Sequence, residues 1–174
     1  KTWDQASPYN KYVEQEHPTG TLVGCVAVAT GQILTHCKDS LLYHDVNYDL
    51  RTIRNNQKAR KIAGLTTVPD TLNIEEATDS IATILSWLGK DLNLDYTSSW
   101  PLAIGYSTRA RTLLNNLDYD VRNVYSTYSP AAVLEYLEDD CLIYMDGRRE
   151  DHSGGHAWVI DGYEYSYIAG TTVE

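Results

Sequence analysis

The sequence predicts an α+β fold with an antiparallel sheet. Apolar residues recur at helical spacing in the first two thirds of the chain, whereas short β-rich runs are concentrated in the last third. Helices and strands segregated in this way are typical of α+β proteins and not of doubly wound parallel sheets. The 174 residues contain no internal repeat and no linker-like stretch, which favours a single domain over residues 1–174.

The amino-terminal part is predicted to contain one buried helix. Residues 1–24 carry several turn formers and are expected to be irregular. A run of small apolar residues then predicts a helix over residues 25–37 that is buried on most sides. Residues 38–72 show little periodicity and several turn formers, so no regular element is expected there.

The clearest helix signal follows Pro69. Asn73 and Glu76 have the spacing of a capping box, and an apolar stripe continues from there to Leu88. Gly89 stands where a C-cap is expected. The sequence therefore predicts a helix that ends at Gly89.

Two more helices and three strands are predicted in the remainder of the chain. One helix is expected to begin near Ser107, and another at Ser129 as N-cap with Pro130 in the first helical position. The β-rich runs lie at residues 119–125, 141–145 and 157–160, the last continuing towards residue 168.

The charge balance excludes one large class of function. The chain has 14 Lys and Arg against 24 Asp and Glu, which gives a formal charge of -10. Because an acidic surface does not attract nucleic acid, no nucleic-acid partner is expected. No stretch approaches about 18 consecutive apolar residues, so no membrane span is predicted.

Three cysteines are an odd number and too few for a disulfide framework, and Cys37 and Cys141 are expected to be buried free thiols.

Cys25 differs from the other two cysteines because it follows Gly24 and opens the predicted buried helix. The free N–H groups and positive dipole at a helix start stabilise a thiolate and an oxyanion beside it. Cys25 is therefore a candidate nucleophile with a lowered pKa. The commoner alternative is an inert core residue.

A second candidate for chemistry is His156, which follows two glycines and begins an apolar run. A histidine at the start of a strand is held rigidly. It lies 131 positions after Cys25, within the separation of about 130 to 150 that papain-like peptidases show between nucleophile and base. The alternative is a buried histidine that is bonded to a neighbouring backbone group.

No metal ion or other cofactor is expected. His36, Cys37 and His44 match no zinc-binding spacing, and His36 and Cys37 point to different sides of a helix. His152 and His156 are separated by Gly154 and Gly155, which indicate a loop and not a helical face.

Three separated motifs carry a resemblance to a known family. In chain order they are residues 3–10 (WDQASPYN), 24–34 (GCVAVATGQIL) and 155–163 (GHAWVIDGY). Over residues 1–163 the chain resembles the streptopain-type cysteine peptidases, which include interpain and are a bacterial family with a papain-like fold. The resemblance implies two subdomains, a helical half carrying the cysteine and an antiparallel sheet half carrying the histidine.

The resemblance also implies roles for three residues. Cys25 would be the nucleophile, His156 its proton partner, and Gln5 a side-chain donor to the oxyanion hole. The substrates would be peptides or proteins, with an apolar residue favoured two positions before the cleaved bond. The family further implies synthesis as a zymogen with an inhibitory propeptide, and a secreted, periplasmic or cell-surface location.

One family feature is not found among the 174 residues: an Asn-Trp-Gly-Trp-Gly segment that orients and covers the histidine. Asp161 is not a natural substitute, because strand alternation points it away from the face of His156. Its carboxylate is expected to cap the turn at Gly162. Two alternative functions therefore stay open: a catalytically impaired domain that binds a peptide or propeptide, and an acyl transferase of the same fold.

Overall fold

The computed structural model describes residues 3–62, 74–97, 107–122, 127–151 and 154–164. Within these residues, helices alternate with two antiparallel strand pairs, β1 with β2 and β3 with β4. In chain order the elements are α1 (Val13–Glu16), α2 (Cys25–Cys37), β1 (Ser40–Tyr43), β2 (Val46–Asp49), α3 (Leu50–Ile62), α4 (Ile74–Asp91), α5 (Ser107–Asn116), α6 (Pro130–Glu138), β3 (Ile143–Arg148) and β4 (Gly155–Ile160).

Helix α2 lies in the middle of the core, which confirms the prediction of a buried helix over residues 25–37. Ten of its 13 residues are buried, and small residues let its neighbours come close. A Cβ at Gly31 would lie 2.7 Å from Leu85 and 3.3 Å from Leu88, both on α4. The lack of a side chain at Gly31 therefore sets how closely α2 and α4 pack.

The structure departs from prediction between residues 38 and 62, where no regular element was expected. Strands β1 and β2 form a hairpin whose two turn residues, His44 and Asp45, have φ of 48° and 60°. Such a turn fits the twist of the strands it joins. Helix α3 follows β2 directly and buries Leu50 and Ile53. Four-residue strands and a polar helix give too little periodicity to be seen in the sequence.

Residues 1–24, expected to be irregular, also contain the single turn of α1.

Helix α4 continues past the predicted C-cap. Gly89 is inside the helix, and the left-handed residue that ends it is Asn93, with φ of 51°. The N–H of Leu94 donates to the Gly89 carbonyl and the N–H of Asn93 to that of Lys90, at 2.9 and 2.8 Å. This is the Schellman arrangement with Asn in place of Gly. The predicted capping box at Asn73 lies outside the described residues.

The predicted helices at Ser107 and Ser129 are both confirmed. The Ser129 hydroxyl accepts a hydrogen bond from the N–H of Ala132, and Pro130 occupies the first turn. Helices α5 and α6 also end at residues in the left-handed conformation, which in these two helices are Asp118 and Asp140. No side chain of α6 is fully buried.

The predicted strands are confirmed only in part. No strand forms over the described residues 119–122, because the N–H of Tyr119 is used to close α5 by donating to Leu114. Similarly, the N–H of Cys141 closes α6, and β3 begins only at Ile143. Strand β4 ends at Ile160 and does not continue through the described residues after it.

The expectation about the two other cysteines was right on pairing and wrong on burial. Neither Cys37 nor Cys141 forms a disulfide, but Cys37 is exposed and Cys141 only half-buried. Cys37 is the last residue of α2, where the helix leaves the core.

In the segments that the structure describes, no helix has the length and apolar character needed to cross a bilayer.

Gly89 makes room for a hydrogen bond, which gives a test of the packing. The Tyr96 hydroxyl donates to the buried carbonyl of Val23 at 2.8 Å, and a Cβ at Gly89 would overlap that hydroxyl. Alanine is normally better than glycine inside a helix by about 1 kcal/mol. We expect Gly89→Ala instead to lower the free energy of unfolding by about 1–2 kcal/mol, because the Val23 carbonyl loses its donor.

Urea unfolding of a double-mutant cycle measures this coupling. In a Tyr96→Phe background, Gly89→Ala should cost at least about 1 kcal/mol less than in the wild type. An equal cost in both backgrounds would show that Tyr96 is not the group displaced.

Candidate active site

The first part of the site is the start of α2. Gly24 precedes Cys25 with φ of 96° and ψ of 131°, a conformation that favours glycine. This turn brings the chain into the core, so that Cys25, the first residue of the helix, is only 6 % exposed. The Gly24 carbonyl accepts from the N–H of Val28 and starts the helical ladder. The local backbone thus requires both the glycine and the small residue after it.

The environment of the Cys25 sulfur corrects one expectation. Burial raises the pKa of the Cys25 thiol, and the carboxylate of Asp146 acts in the same direction. The backbone N–H groups of Ala157, Val26 and Cys25 itself lower the pKa, but their effect is smaller. The position at a helix start does stabilise the thiolate, but it does not outweigh the loss of water. The lowered pKa predicted from the sequence is therefore wrong for this arrangement.

His156 lies on β4, directly before the residue that touches Cys25. Ala157 is buried, whereas His156 and Trp158 are exposed on the other face of the strand, with ring centroids 6.1 Å apart. Among the described residues, His156 makes no hydrogen bond to Cys25. The Cα of His156 is two covalent bonds from the Ala157 nitrogen, so a rotation about χ1 moves the ring relative to the sulfur without moving the strand. In the structure the backbone next to His156 lies beside Cys25, but the imidazole ring of His156 does not.

The backbone of Gln5 is fixed beside the start of α2. The Gln5 carbonyl accepts from the N–H of Val23 at 2.9 Å, two residues before Cys25. The Asp4 carboxylate accepts from the N–H of Gln5 at 2.6 Å and orders the preceding turn. The Gln5 side chain is half-buried and makes no hydrogen bond to any described residue. Its amide is therefore available to another group.

Two residues near the sulfur were missed from the sequence, Tyr144 and Asp146 on β3. The Tyr144 hydroxyl is buried without a hydrogen-bond partner among the described residues. Its burial raises the pKa of Tyr144, and the charges of Asp146 and Cys25 add to this rise. Only the register of the β3–β4 pair shows that these residues share a face with Ala157. The β-rich run at residues 141–145 was the available signal, but it does not tell which strand is the partner.

The remaining histidines and Asp161 lie away from Cys25 or outside the described residues. Asp161 lines a cavity of about 160 Å³ with Gln32 and His36 of α2. It makes no hydrogen bond to the described residues of the Gly162 turn, so the expected cap is not formed. His44 is tied to the end of α4, where its Nε2 lies 2.9 Å from the Asp91 carboxylate, and its ring stacks on Trp87.

His152 lies outside the described residues. In the part of the chain that the structure does describe, no group of three His, Cys, Asp or Glu side chains is arranged to hold a metal ion.

The comparison with protein families decides the family of the chain. Residues 3–171 match the model of the peptidase C10 family. The chain belongs to the peptidase C10 family. This is the streptopain family, so the resemblance carried by the three motifs is confirmed. Comparison with curated proteins and with solved structures found no significant match.

Membership of the peptidase C10 family extends what the coordinates establish. The mixture of helices and small antiparallel strand pairs is consistent with an α+β fold, and the family implies the papain-like version of it. C10 peptidases are of the cysteine type, and their substrates are peptides or proteins. The match covers all three motifs, including residues 24–34 and 155–163.

The buried thiol gives a prediction about pH. In the variant His156→Ala no imidazolium can offset burial, so the protonated form of Cys25 is favoured. The rate of Cys25 alkylation by iodoacetamide should therefore rise with an inflection above pH 9.0, the ordinary pKa of the thiol. The measurement is the alkylation rate of Cys25 against pH, followed by mass spectrometry. The urea-unfolded variant is the control, and an inflection of the folded variant below that control contradicts the prediction.

Proposed function

We propose that this chain is a cysteine endopeptidase in which Cys25 is the nucleophile, His156 its proton partner and Gln5 a donor to the oxyanion hole. The observation that carries the proposal is the meeting of three motifs at one place. Cys25 begins the buried helix α2, and its sulfur lies against the backbone N–H of Ala157, the residue after His156. The Gln5 carbonyl accepts a hydrogen bond from the N–H of Val23, two residues before Cys25. The C10 family match supplies the reaction class.

The first step needs an ionised sulfur. Because burial raises the pKa of the Cys25 thiol, ionisation requires a cation close by. The imidazolium of His156 supplies it when the ring turns towards the sulfur, and the thiolate and imidazolium then stabilise each other. Exposure of the His156 side chain leaves that rotation unobstructed by core packing.

The second step is attack on the substrate carbonyl. The carbon–sulfur bond forms, and the carbonyl oxygen becomes an oxyanion beside the first turn of α2. The backbone N–H of Cys25 and the side-chain amide of Gln5 donate to it, and a neutral amide adds no charge that would need burial. His156 then gives its proton to the leaving amine, which leaves a thioester on Cys25. Water, deprotonated by His156, hydrolyses the thioester and restores the site.

One observation supports the alternative function, a catalytically impaired domain that binds a peptide without cleaving it. Cys25 has a raised pKa, and its thiol has no hydrogen bond to His156 among the described residues. A domain that only binds peptides would keep this arrangement throughout. An epoxysuccinyl peptide separates the two cases, because it labels an activated thiol much faster than an ordinary one. Labelling of Cys25 far faster than of the exposed Cys37 supports the peptidase, and equal rates support the binder.

The family gives three further proposals for the whole protein. We propose that it is made as a zymogen, that a propeptide occupies the site before removal, and that it works outside the cytoplasm. An acyl-transfer reaction differs only in its acceptor, which is an amine instead of water. The products of a cleavage assay that contains hydroxylamine or a competing amine show which of the two acceptors releases the acyl chain.

Two substitutions test the nucleophile. Cys25→Ala should abolish hydrolysis of a fluorogenic peptide, because no covalent intermediate can form. Cys37→Ala is the matched control and should keep wild-type kcat/KM, since Cys37 is exposed at the far end of α2. Circular dichroism checks that both variants fold. Undiminished hydrolysis by Cys25→Ala would exclude this cysteine as the nucleophile.

A third substitution tests the oxyanion donor. Gln5→Ala should lower kcat by about 10²–10³-fold with little change in KM, because the donor acts on charge that develops only in the transition state. Gln15→Ala, at an exposed position of α1, should leave both constants unchanged. A change in KM alone would assign Gln5 to substrate binding.

A further inference from the structure

The indole of Trp158 lies across the β3–β4 pair and covers Gly147. Trp158 is directly opposite Met145, and its neighbour on the same face of β4, His156, is directly opposite Gly147. A Cβ built at Gly147 would lie 3.4 Å from Cη2 and 3.8 Å from Cζ3 of the indole, with no other described side chain within 4 Å. The indole therefore reaches diagonally from its own position to the place opposite His156.

This cover restricts the imidazole of His156. A glycine within a strand leaves its backbone bare, and an aromatic side chain on the neighbouring strand covers it favourably. His156 is the residue directly opposite Gly147, but the Trp158 indole covers the glycine in its place. The His156 and Trp158 rings have centroids 6.1 Å apart and planes inclined by 22°. An imidazole that turned towards β3 would enter the space that the indole already fills.

The hydrogen-bond ladder shows which way the backbone of β4 points. The N–H of Arg149 donates to the Gly154 carbonyl at 3.0 Å, which makes these two a hydrogen-bonded pair. Such pairs alternate with non-bonded pairs along an antiparallel ladder. His156 and Gly147, two positions further along, are therefore a bonded pair, and Ala157 belongs to a non-bonded one. The N–H of Ala157 consequently points away from β3.

The proposed nucleophile lies on that other side of β4. In the described part of the chain β4 pairs with a strand on one side only, and α2 packs more closely against β4 than against β3. The Cys25 sulfur lies against the Ala157 N–H, at the open edge of the strand. The imidazole of His156 thus has two directions available, over Gly147 or over the open edge towards the sulfur. The indole occupies the first.

We propose that Trp158 is a positioning residue, which covers Gly147 and so keeps the His156 imidazole on the Cys25 side of β4. This proposal rests on the peptidase function and adds a residue to its machinery. The indole takes no part in making or breaking bonds. Without it the imidazole itself would cover Gly147, and the proton partner of the sulfur would be withdrawn in most molecules.

The side-chain torsion of His156 tests the positioning without turnover. NMR couplings from its Cγ to the backbone nitrogen and carbonyl carbon, measured on isotope-labelled protein, give the populations of the staggered χ1 rotamers. The rotamer that lies over Gly147 should be nearly empty in the wild type. In Trp158→Thr, which keeps a strand-favouring residue without a ring, its population should rise about fivefold. Equal populations in the two proteins would overturn the role of Trp158, whether or not the chain cleaves peptides.

Peptide hydrolysis tests what the positioning does for the reaction. Trp158→Thr should lower kcat about fivefold with little change in KM, because fewer molecules hold the imidazole beside the sulfur. Adding Gly147→Val to this variant places a strand-favouring side chain in the space that the indole has left. Both kcat and the rotamer populations should then return to within about twofold of the wild type. Tyr128→Ala, which removes another exposed aromatic ring, is the control and should change neither readout.

The outcomes separate this proposal from the peptidase assignment. If the rotamers shift as expected but the wild type cleaves no peptide, the peptidase assignment fails, while control of the imidazole by Trp158 is supported. If the rotamers shift and kcat does not, the role in the reaction is overturned. A loss of kcat that Gly147→Val does not restore would make Trp158 a structural residue, which also overturns the proposal. Circular dichroism checks folding, and Trp158→Leu serves if Trp158→Thr does not fold.

Discussion

The structure depends on burying α2 with its backbone groups satisfied. A helix end in the core leaves carbonyls that water cannot reach, and each needs a donor. The Tyr96 hydroxyl donates to Val23 just before the helix, the Tyr119 hydroxyl to Leu34 in its last turn, and the Arg54 guanidinium to Thr35. A tyrosine can fill core volume and carry a donor to such a carbonyl, which phenylalanine cannot. Two of the 14 tyrosines, Tyr96 and Tyr119, have this role in a chain that contains no phenylalanine.

The burial of α2 positions Cys25 but does not activate its thiol. It holds Cys25 at a fixed place between the helix start and β4, which is the positional requirement for a nucleophile. It also keeps the thiol protonated, because the sulfur has lost its water and the backbone N–H groups compensate only in part. Activation must then come from a group that can move. In the proposed mechanism this group is the exposed His156 ring.

Sequence alone could predict the elements that local signals determine. The small apolar run of α2 and the Ser129–Pro130 start of α6 are such signals, and so are the three motifs that identify the family. Gly89 was misinterpreted, because a glycine that admits Tyr96 looks the same in sequence as a C-cap. Tyr144 and Asp146 could not be found, since they reach Cys25 only through the pairing of β3 with β4. The direction of the Cys25 pKa shift depends on the balance between burial and the backbone N–H groups around the sulfur, and the sequence does not give that balance.

The difference in burial between α2 and α6 has a consequence for local stability. Amide protons of α2 are enclosed by core on most sides, so they should exchange with solvent only when the whole domain opens. Helix α6 has no fully buried side chain, so we expect its amide protons to exchange through local unwinding. The helix without a buried side chain therefore precedes β3 in the chain. Local opening of α6 would leave α2 and Cys25 in place.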